Sequence, residues 1–350
     1  MANKNLGWIN DIKGSVILLV ILYHSILNFK VMYGDLLTSP SVIYDLWLYF
    51  NQKLAPLRMP IFFFVSGFLA LSFINRTSLK DICKGKALNF LIIYLIWNVI
   101  VWTFISLIHF VYGDSLSSSN SVYSNNLLEF IESTAISRSS LWYLFALAVY
   151  YFICKPLIKY PVFLVLFALI LNVLLNQYLN IGWNFESIGR NLLYFSIGLT
   201  FGKSITNIII ANKTYALLAT TFFVILSLIL KGEWRVFTDL SFCFFFLSIF
   251  IVFEKLISRL GFRNLGKKTL IIYVSHRIFV EILMVVTLFI ILKSNSNLFI
   301  ELVFLLYPIL TCALSVLFAY NFEKYQNSLI YNFLLSPVET IKKRNTLSNA

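Results

Sequence analysis

The stretch Trp8-Ile-Asn-Asp-Ile-Lys13-Gly-Ser-Val-Ile-Leu-Leu-Val-Ile-Leu-Tyr-His24-Ser-Ile-Leu-Asn28-Phe decides the fold of this chain. It opens on charged residues, Asp11 and Lys13. It then runs from Gly14 to Tyr23 without a charge or an amide and reaches an imidazole, His24. In a helix, an offset of eleven residues at about 100° each returns His24 to the face of Lys13, about 16 Å further along the axis. Asn28 continues that face one turn on. One apolar helix thus carries a cation at its mouth and a titratable group deep inside. A group that can ionise at such depth is costly to keep and marks a functional site by default. The position equally suits a neutral histidine bonded to a neighbouring helix and packing there. The run is too long for a signal-peptide core and lacks a small-residue cleavage site, so it reads as a retained span.

Working outward, apolar residues make up 59% of the chain and charged residues 12%. A soluble domain carries about 25% charged residues. Ten apolar segments are able to cross a bilayer, near 12–30, 59–75, 87–112, 141–154, 161–179, 188–203, 213–230, 235–253, 269–292 and 299–320. Each crossing needs about 20 residues, fewer where helices tilt or bend. Runs this continuous read as helices, because lipid leaves only helices or closed barrels with satisfied backbones. The expected fold is an all-α, polytopic membrane helix bundle of about ten transmembrane helices. With the N-terminus inside, 19 lysines and arginines fall on inner segments and 8 on outer ones, and Arg277 lies within a span. That bias places both termini in the cytoplasm. It also accounts for the net charge of +13, which in a soluble protein would suggest nucleic acid as a partner. Here the partner is the bilayer, and no nucleic acid is expected.

Two outer loops are long. Residues 31–58 contain Val42–Phe50, an apolar aromatic stretch that reads as an interfacial or re-entrant helix. Residues 113–140 are rich in serine and asparagine and read as a mobile loop. Cys83, Cys154, Cys243 and Cys312 form no CxxC pair, so neither a disulfide nor a structural zinc is expected. No repeat of solenoid length and no inverted half-repeat of the transporter kind is visible.

His109 lies at the outer end of the third span, where the interface explains it. His276 is different. It sits in Tyr273-Val-Ser-His276-Arg277-Ile-Phe-Val-Glu281, inside the ninth span. Arg277 and Glu281 are four apart and share a helical face, so they can pair within the membrane. The group serves either a site or a structural ion pair that fixes helix register. Depth places Glu281 about 18 Å in, level with His24. Glu281 or Arg277 is therefore expected near His24, where a carboxylate would hold the imidazole tautomer and favour its protonated form.

The second span opens Leu57-Arg58-Met-Pro60 and continues to Ser66-Gly67. Pro60 suits the first turn of a helix, and Ser66 and Gly67 allow close helix contact. Arg58 is either a snorkelling interfacial residue or part of the site. Trp142 and Tyr143 begin the fourth span, where an aromatic belt explains them equally well. Arg76, Lys80, Lys84 and Lys86 crowd the next inner loop. Positive-inside topology predicts some of this, and the density also suits the phosphates of a nucleotide or coenzyme. The absence of a Gly-rich phosphate loop speaks against a nucleotide triphosphatase.

Taken in order, these residues resemble the integral-membrane acyltransferase-3 family. Lys13 and His24 fit its basic residue, ten-residue gap and histidine in the first span. Arg58-Met-Pro-Ile-Phe-Phe-Phe-Val-Ser-Gly-Phe-Leu is similar to its second-span motif. Leu141-Trp-Tyr-Leu and Ile272-Tyr-Val-Ser-His276 resemble two further landmarks. Arg190-Asn-Leu-Leu-Tyr-Phe-Ser-Ile-Gly198-Leu-Thr-Phe-Gly202 resembles its glycine-spaced sixth segment. The likeness runs from about residue 8 to 325 and is strongest to the fucose 4-O-acetylase-like branch. Two departures stand out. The family often carries Arg-x-x-Arg after the second span, whereas here Arg76, Lys80, Lys84 and Lys86 are spaced otherwise. A histidine often precedes Trp-Tyr-Leu, whereas here it is Ser140.

The resemblance implies a membrane acyltransferase domain over 1–325 and a short cytoplasmic tail over 326–350. It implies transfer of an acyl group, usually acetyl from acetyl-CoA, to a hydroxyl of an envelope carbohydrate or glycolipid at the bacterial inner membrane. No metal is expected. Ester formation needs a hydroxyl deprotonated as it attacks a thioester, which suits a histidine titrating near neutrality. His24 is the expected base and Glu281 its catalytic partner. An acyl-histidine route is an open variant. Arg58 or Arg277 would steady the oxyanion. Lys13, Arg58, Trp142, His276 and Arg277 would contact substrates, and Arg76, Lys80, Lys84 and Lys86 the coenzyme. The competing reading is a transporter or flippase of a sugar or lipid-linked glycan, since buried histidine and glutamate also serve proton relays. A structural scaffold comes third, disfavoured by the charges of the ninth span.

Overall fold

The computed structural model describes residues 7–33, 41–112, 124, 126–230, 235–294 and 296–348, without the side chains at 28–33, 112, 183, 292 and 345–348. The Asn28 side chain, the loop stretch 34–40 and residues 113–123, all read above from sequence, lie outside the described residues. Among the described residues the structure is helical with no strand.

Six helices are long and apolar enough to cross a membrane. They are α1 (Gly7–Tyr33), α3 (Ala55–Arg76), α5 (Leu88–Tyr112), α12 (Arg235–Val252), α15 (Thr269–Leu292) and α16 (Asn297–Glu323). A seventh crossing is a broken one: α9 (Trp183–Thr200) meets α10 (Gly202–Ala211) at a bend of 63°. Three shorter apolar helices, α7 (Trp142–Leu157), α8 (Pro161–Gln177) and α11 (Lys213–Ile229), fill the remaining segments read from the sequence. The chain is thus an all-α, multi-pass membrane protein. Ten crossings require the bent pair and all three shorter helices to span.

Between these run α2 (Val42–Lys53), α4 (Leu79–Ile82), α6 (Leu127–Ala135), α13 (Glu254–Ile257), α14 (Phe262–Lys267), α17 (Leu329–Leu335) and α18 (Pro337–Ser348). Capping side chains start several of them, as helix N-termini require. Ser41 accepts from the Tyr44 amide, Ser78 from Asp81, Asn126 from Glu129 and Ser328 from Tyr331. The stretch Val42–Phe50 is helical, as read. Three sequence expectations change. Pro60 does not open its helix, because only Leu54 separates α2 from α3, and Pro60 falls inside α3. The segment read as a mobile loop contains α6, which docks on α5: Tyr94 donates to the Thr134 carbonyl at 2.7 Å and Trp102 stacks on Phe130 at 4.6 Å. His109, assigned to the interface, is buried.

The chain divides into two compact units. The first takes the chain up to Val16, Ala55–Leu88 and Ala146–Lys267. Its centre is the contact of α3 with α9, where small residues let backbones approach. A Cβ at Gly67 would overlap the Phe195 carbonyl, and one at Gly198 would overlap the Phe64 carbonyl. The same reciprocal arrangement joins the start of α1 to α14, with Gly14 against the Phe262 carbonyl and Gly266 against that of Asn10. Arg263 strengthens that joint by donating to Asp11 at 2.8 Å and to Glu254 at 3.0 Å.

The second unit takes Ile17–Leu54, Asn89–Phe145 and the chain from Lys268 onward. Here α15 packs on α16 around Met284, Val285, Ile291, Phe304 and Tyr307. Glu301 of α16 holds the start of α2, accepting from the Ser41 hydroxyl at 2.9 Å and from the Val42 and Ile43 amides at 3.1 Å. The C-terminal helices dock on α5. Trp97 donates to the Leu334 carbonyl at 3.1 Å, and Asn89 accepts from the Val338 amide at 3.2 Å.

Candidate functional site

The site is built on α15, whose first turn is pinned in place. Lys268, just before it, forms an ion pair with Glu323 and sits over the Tyr320 ring at 4.5 Å. One turn further in, Tyr273 crosses to the start of α7. Its hydroxyl donates to the Ser140 carbonyl at 2.8 Å and accepts from the Tyr143 amide at 3.3 Å. The two rings meet edge to face at 5.5 Å. Two motifs far apart in the chain, Leu141-Trp-Tyr-Leu and Ile272-Tyr-Val-Ser-His276, are therefore physically joined, and Trp142 is buried beside that joint.

His276 follows on the same helix and is 0% exposed. Its Nδ1 lies 2.5 Å from the Tyr273 carbonyl oxygen. A carbonyl only accepts, so in the neutral ring Nδ1 carries the proton and Nε2 keeps its lone pair. That Nε2 is buried and has no hydrogen-bond partner among the described residues. The His24 ring of α1 stands beside the His276 ring, with centroids 5.1 Å apart and planes inclined by 46°. Tyr23 contacts the His24 ring at 5.0 Å. His24 is half-buried, the more accessible of the two imidazoles.

One residue on, Arg277 forms an ion pair with Glu281, at 0% and 1% side-chain exposure. This is the pair that the spacing predicts. The ring set against His24 is that of His276. A buried pair of this kind holds the helix register and keeps both charges satisfied.

The other candidates belong to the first unit. Lys13 is half-buried on α1, next to the glycine joint with α14. Arg58 is half-buried near the start of α3. Arg76, Lys80, Lys84 and Lys86 are exposed along the connection from α3 to α5, and the Lys86 ammonium lies 4.4 Å above the Phe73 ring. Sequence reading missed three features. Lys155 donates to the Ile74 carbonyl at 2.6 Å beside this basic connection. Asp11 binds Arg263, and that hydrogen bond, outweighing burial, raises the arginine above its ordinary range. Asp239 of α12 accepts from Tyr194 of α9 at 2.7 Å, with Arg235 3.9 Å away. The lone acid in an apolar run, four residues after an arginine, was a legible signal for the last of these.

Chemically, the second unit presents one reachable imidazole, a second oriented imidazole behind it and a neutralised ion pair one turn away. Such an arrangement can accept, hold and return a proton at a hydroxyl. Comparison with known proteins agrees. Residues 6–322 match a family described as an acyltransferase domain. The chain is similar to the inner membrane protein YcfT of Escherichia coli strain K12, with 32% identity over 81% of each chain. No solved structure matches it. A match over nearly the whole chain, with the family's spaced motifs on the helices just described, means that this protein belongs to the acyltransferase-3 family.

Proposed function

We propose that the protein is an O-acyltransferase of the bacterial inner membrane. It moves an acyl group, most simply acetyl, from acyl-CoA on the cytoplasmic side to a hydroxyl of an envelope carbohydrate or glycolipid. The observation that carries this reading is the apposition of His24 and His276 at 5.1 Å, in a chain of this family.

His24 takes the proton of the acceptor hydroxyl as its oxygen attacks the thioester carbonyl. A carbon–oxygen bond forms, the tetrahedral oxyanion collapses, the carbon–sulfur bond breaks, and His24 returns the proton to the coenzyme thiolate. Arg277, which gives only one nitrogen to Glu281, or Arg58 would steady the oxyanion. Lys13 meets the donor at the cytoplasmic mouth. Arg76, Lys80, Lys84 and Lys86 bind its phosphates as charge-assisted donors. Trp142 offers an apolar face to the sugar. Arg277 and Glu281 act as positioning residues by fixing the turn that carries His276.

The test is transfer of label from radiolabelled acetyl-CoA to native envelope glycans in membranes containing the protein, compared with His24→Ala checked for folding in detergent. Base-labile label in a glycan fraction, lost in the folded variant, is the expected result. No label above empty membranes from any acyl-CoA, with the acceptor present, overturns the reading. Glycan transport in vesicles is then the assay to run.

A further inference from the structure

We infer that His276 is the orienting partner of His24: its Nε2 accepts a hydrogen bond from an N–H of the His24 ring, leaving the other His24 nitrogen to act as base. This rests on the acyl-transfer reading above, and it assigns the second imidazole a role of its own.

Three observations carry it. First, the Tyr273 carbonyl at 2.5 Å from Nδ1 fixes the His276 tautomer, so Nε2 is an acceptor. Second, that acceptor is buried and has no partner among the described residues, although a buried polar atom left so is costly. Third, the neighbouring ring is another imidazole, with centroids 5.1 Å apart. An N–H···N bond of about 2.9 Å between two imidazoles places their centroids about 5 Å apart, which is the spacing of these two rings. Burial sets the order. His24 is half-buried and His276 is enclosed, so substrate meets His24 and His276 acts through it.

The charged groups nearby keep His276 an acceptor. Arg277 adjoins it on α15 and disfavours a second cation there, while Glu281 is neutralised by Arg277. Among the described residues, Tyr273 on α15 also meets the His276 ring, and Tyr23 on α1 meets that of His24. An acceptor on the His24 N–H holds the ring in one orientation and stabilises the imidazolium that forms as His24 takes the proton.

The experiment compares wild type, His276→Phe and His276→Asn in the acetyl-transfer assay across pH, with folding of each checked in detergent. His276→Phe should lower kcat by roughly 100-fold with little change in KM. His276→Asn, which retains an acceptor, should recover a large part of the rate. Equal losses in both variants indicate packing alone and overturn the inference. Independently of any variant, nitrogen NMR of 15N-histidine-labelled wild type reads the tautomer. A His276 protonated on Nδ1 alone near neutral pH is expected, and one protonated on Nε2 overturns the inference even if the variants fail to fold. Wild type that transfers no label refutes the acyl-transfer reading instead, and the NMR result still stands as a test of the pairing.

Discussion

At the scale of single residues, the buried Arg277–Glu281 pair sets a clear asymmetry. Removing one partner strands a charge in a low-dielectric interior, at a cost of about 3–5 kcal/mol, whereas replacing both by apolar side chains is close to neutral. Arg277→Met should therefore lower the unfolding temperature in detergent more than the double variant Arg277→Met/Glu281→Leu does. A double variant less stable than Arg277→Met alone would show that the pair contributes beyond mutual neutralisation. The pairing was legible, because four-residue spacing on a helix is a local rule. The Tyr273–Ser140 bond was not. It joins residues 133 apart, and its acceptor is a backbone carbonyl, which every residue carries. The same holds for the Tyr273 carbonyl that orients His276. The depth argument brought the two helices together and named Glu281 or Arg277 near His24; the ring that meets His24 across them is that of His276.

At the scale of elements, the molecule is held by backbone approach as much as by side-chain packing. Gly67→Ala or Gly198→Ala forces a methyl group onto a carbonyl across the α3–α9 contact. Overpacking of this kind costs about 1–3 kcal/mol. Both variants should unfold earlier on heating in detergent than the wild-type protein. The start of α2 offers a second test. Glu301→Ala removes the acceptor of the Ser41 hydroxyl and of the Val42 and Ile43 amides. Hydrogen exchange should rise over Val42–Lys53 and stay unchanged over α5. The small residues at 66–67 announced a close contact, but a glycine in a sequence does not name the carbonyl it faces. The reciprocal Gly14–Gly266 joint passed unnoticed because Gly266 lies in a short basic connection, outside any apolar run.

At the scale of the whole molecule, composition and hydropathy gave the class directly: an all-α, multi-pass membrane protein. Segment lengths were less readable. A kinked crossing such as α9–α10 and helices of 16 or 17 residues blur where a span begins and ends. The charge bias predicts both termini inside. In a cysteine-free background, Arg138→Cys should react with a membrane-impermeant thiol reagent added to intact cells, and Lys343→Cys should react only after permeabilisation. The opposite pattern would invert the orientation.

The reciprocal glycine contact between α3 and α9 also bears on how the protein is made. Ala55–Arg76 leaves the ribosome long before Trp183–Thr200, and residues of the other unit are made in between. The glycine face of α3 must therefore wait in the bilayer for a partner not yet translated, and the first unit can close only late in synthesis. Nascent chains arrested before residue 183 should expose Gly67 to a lipid-borne crosslinker, and chains arrested well past residue 200 should shield it.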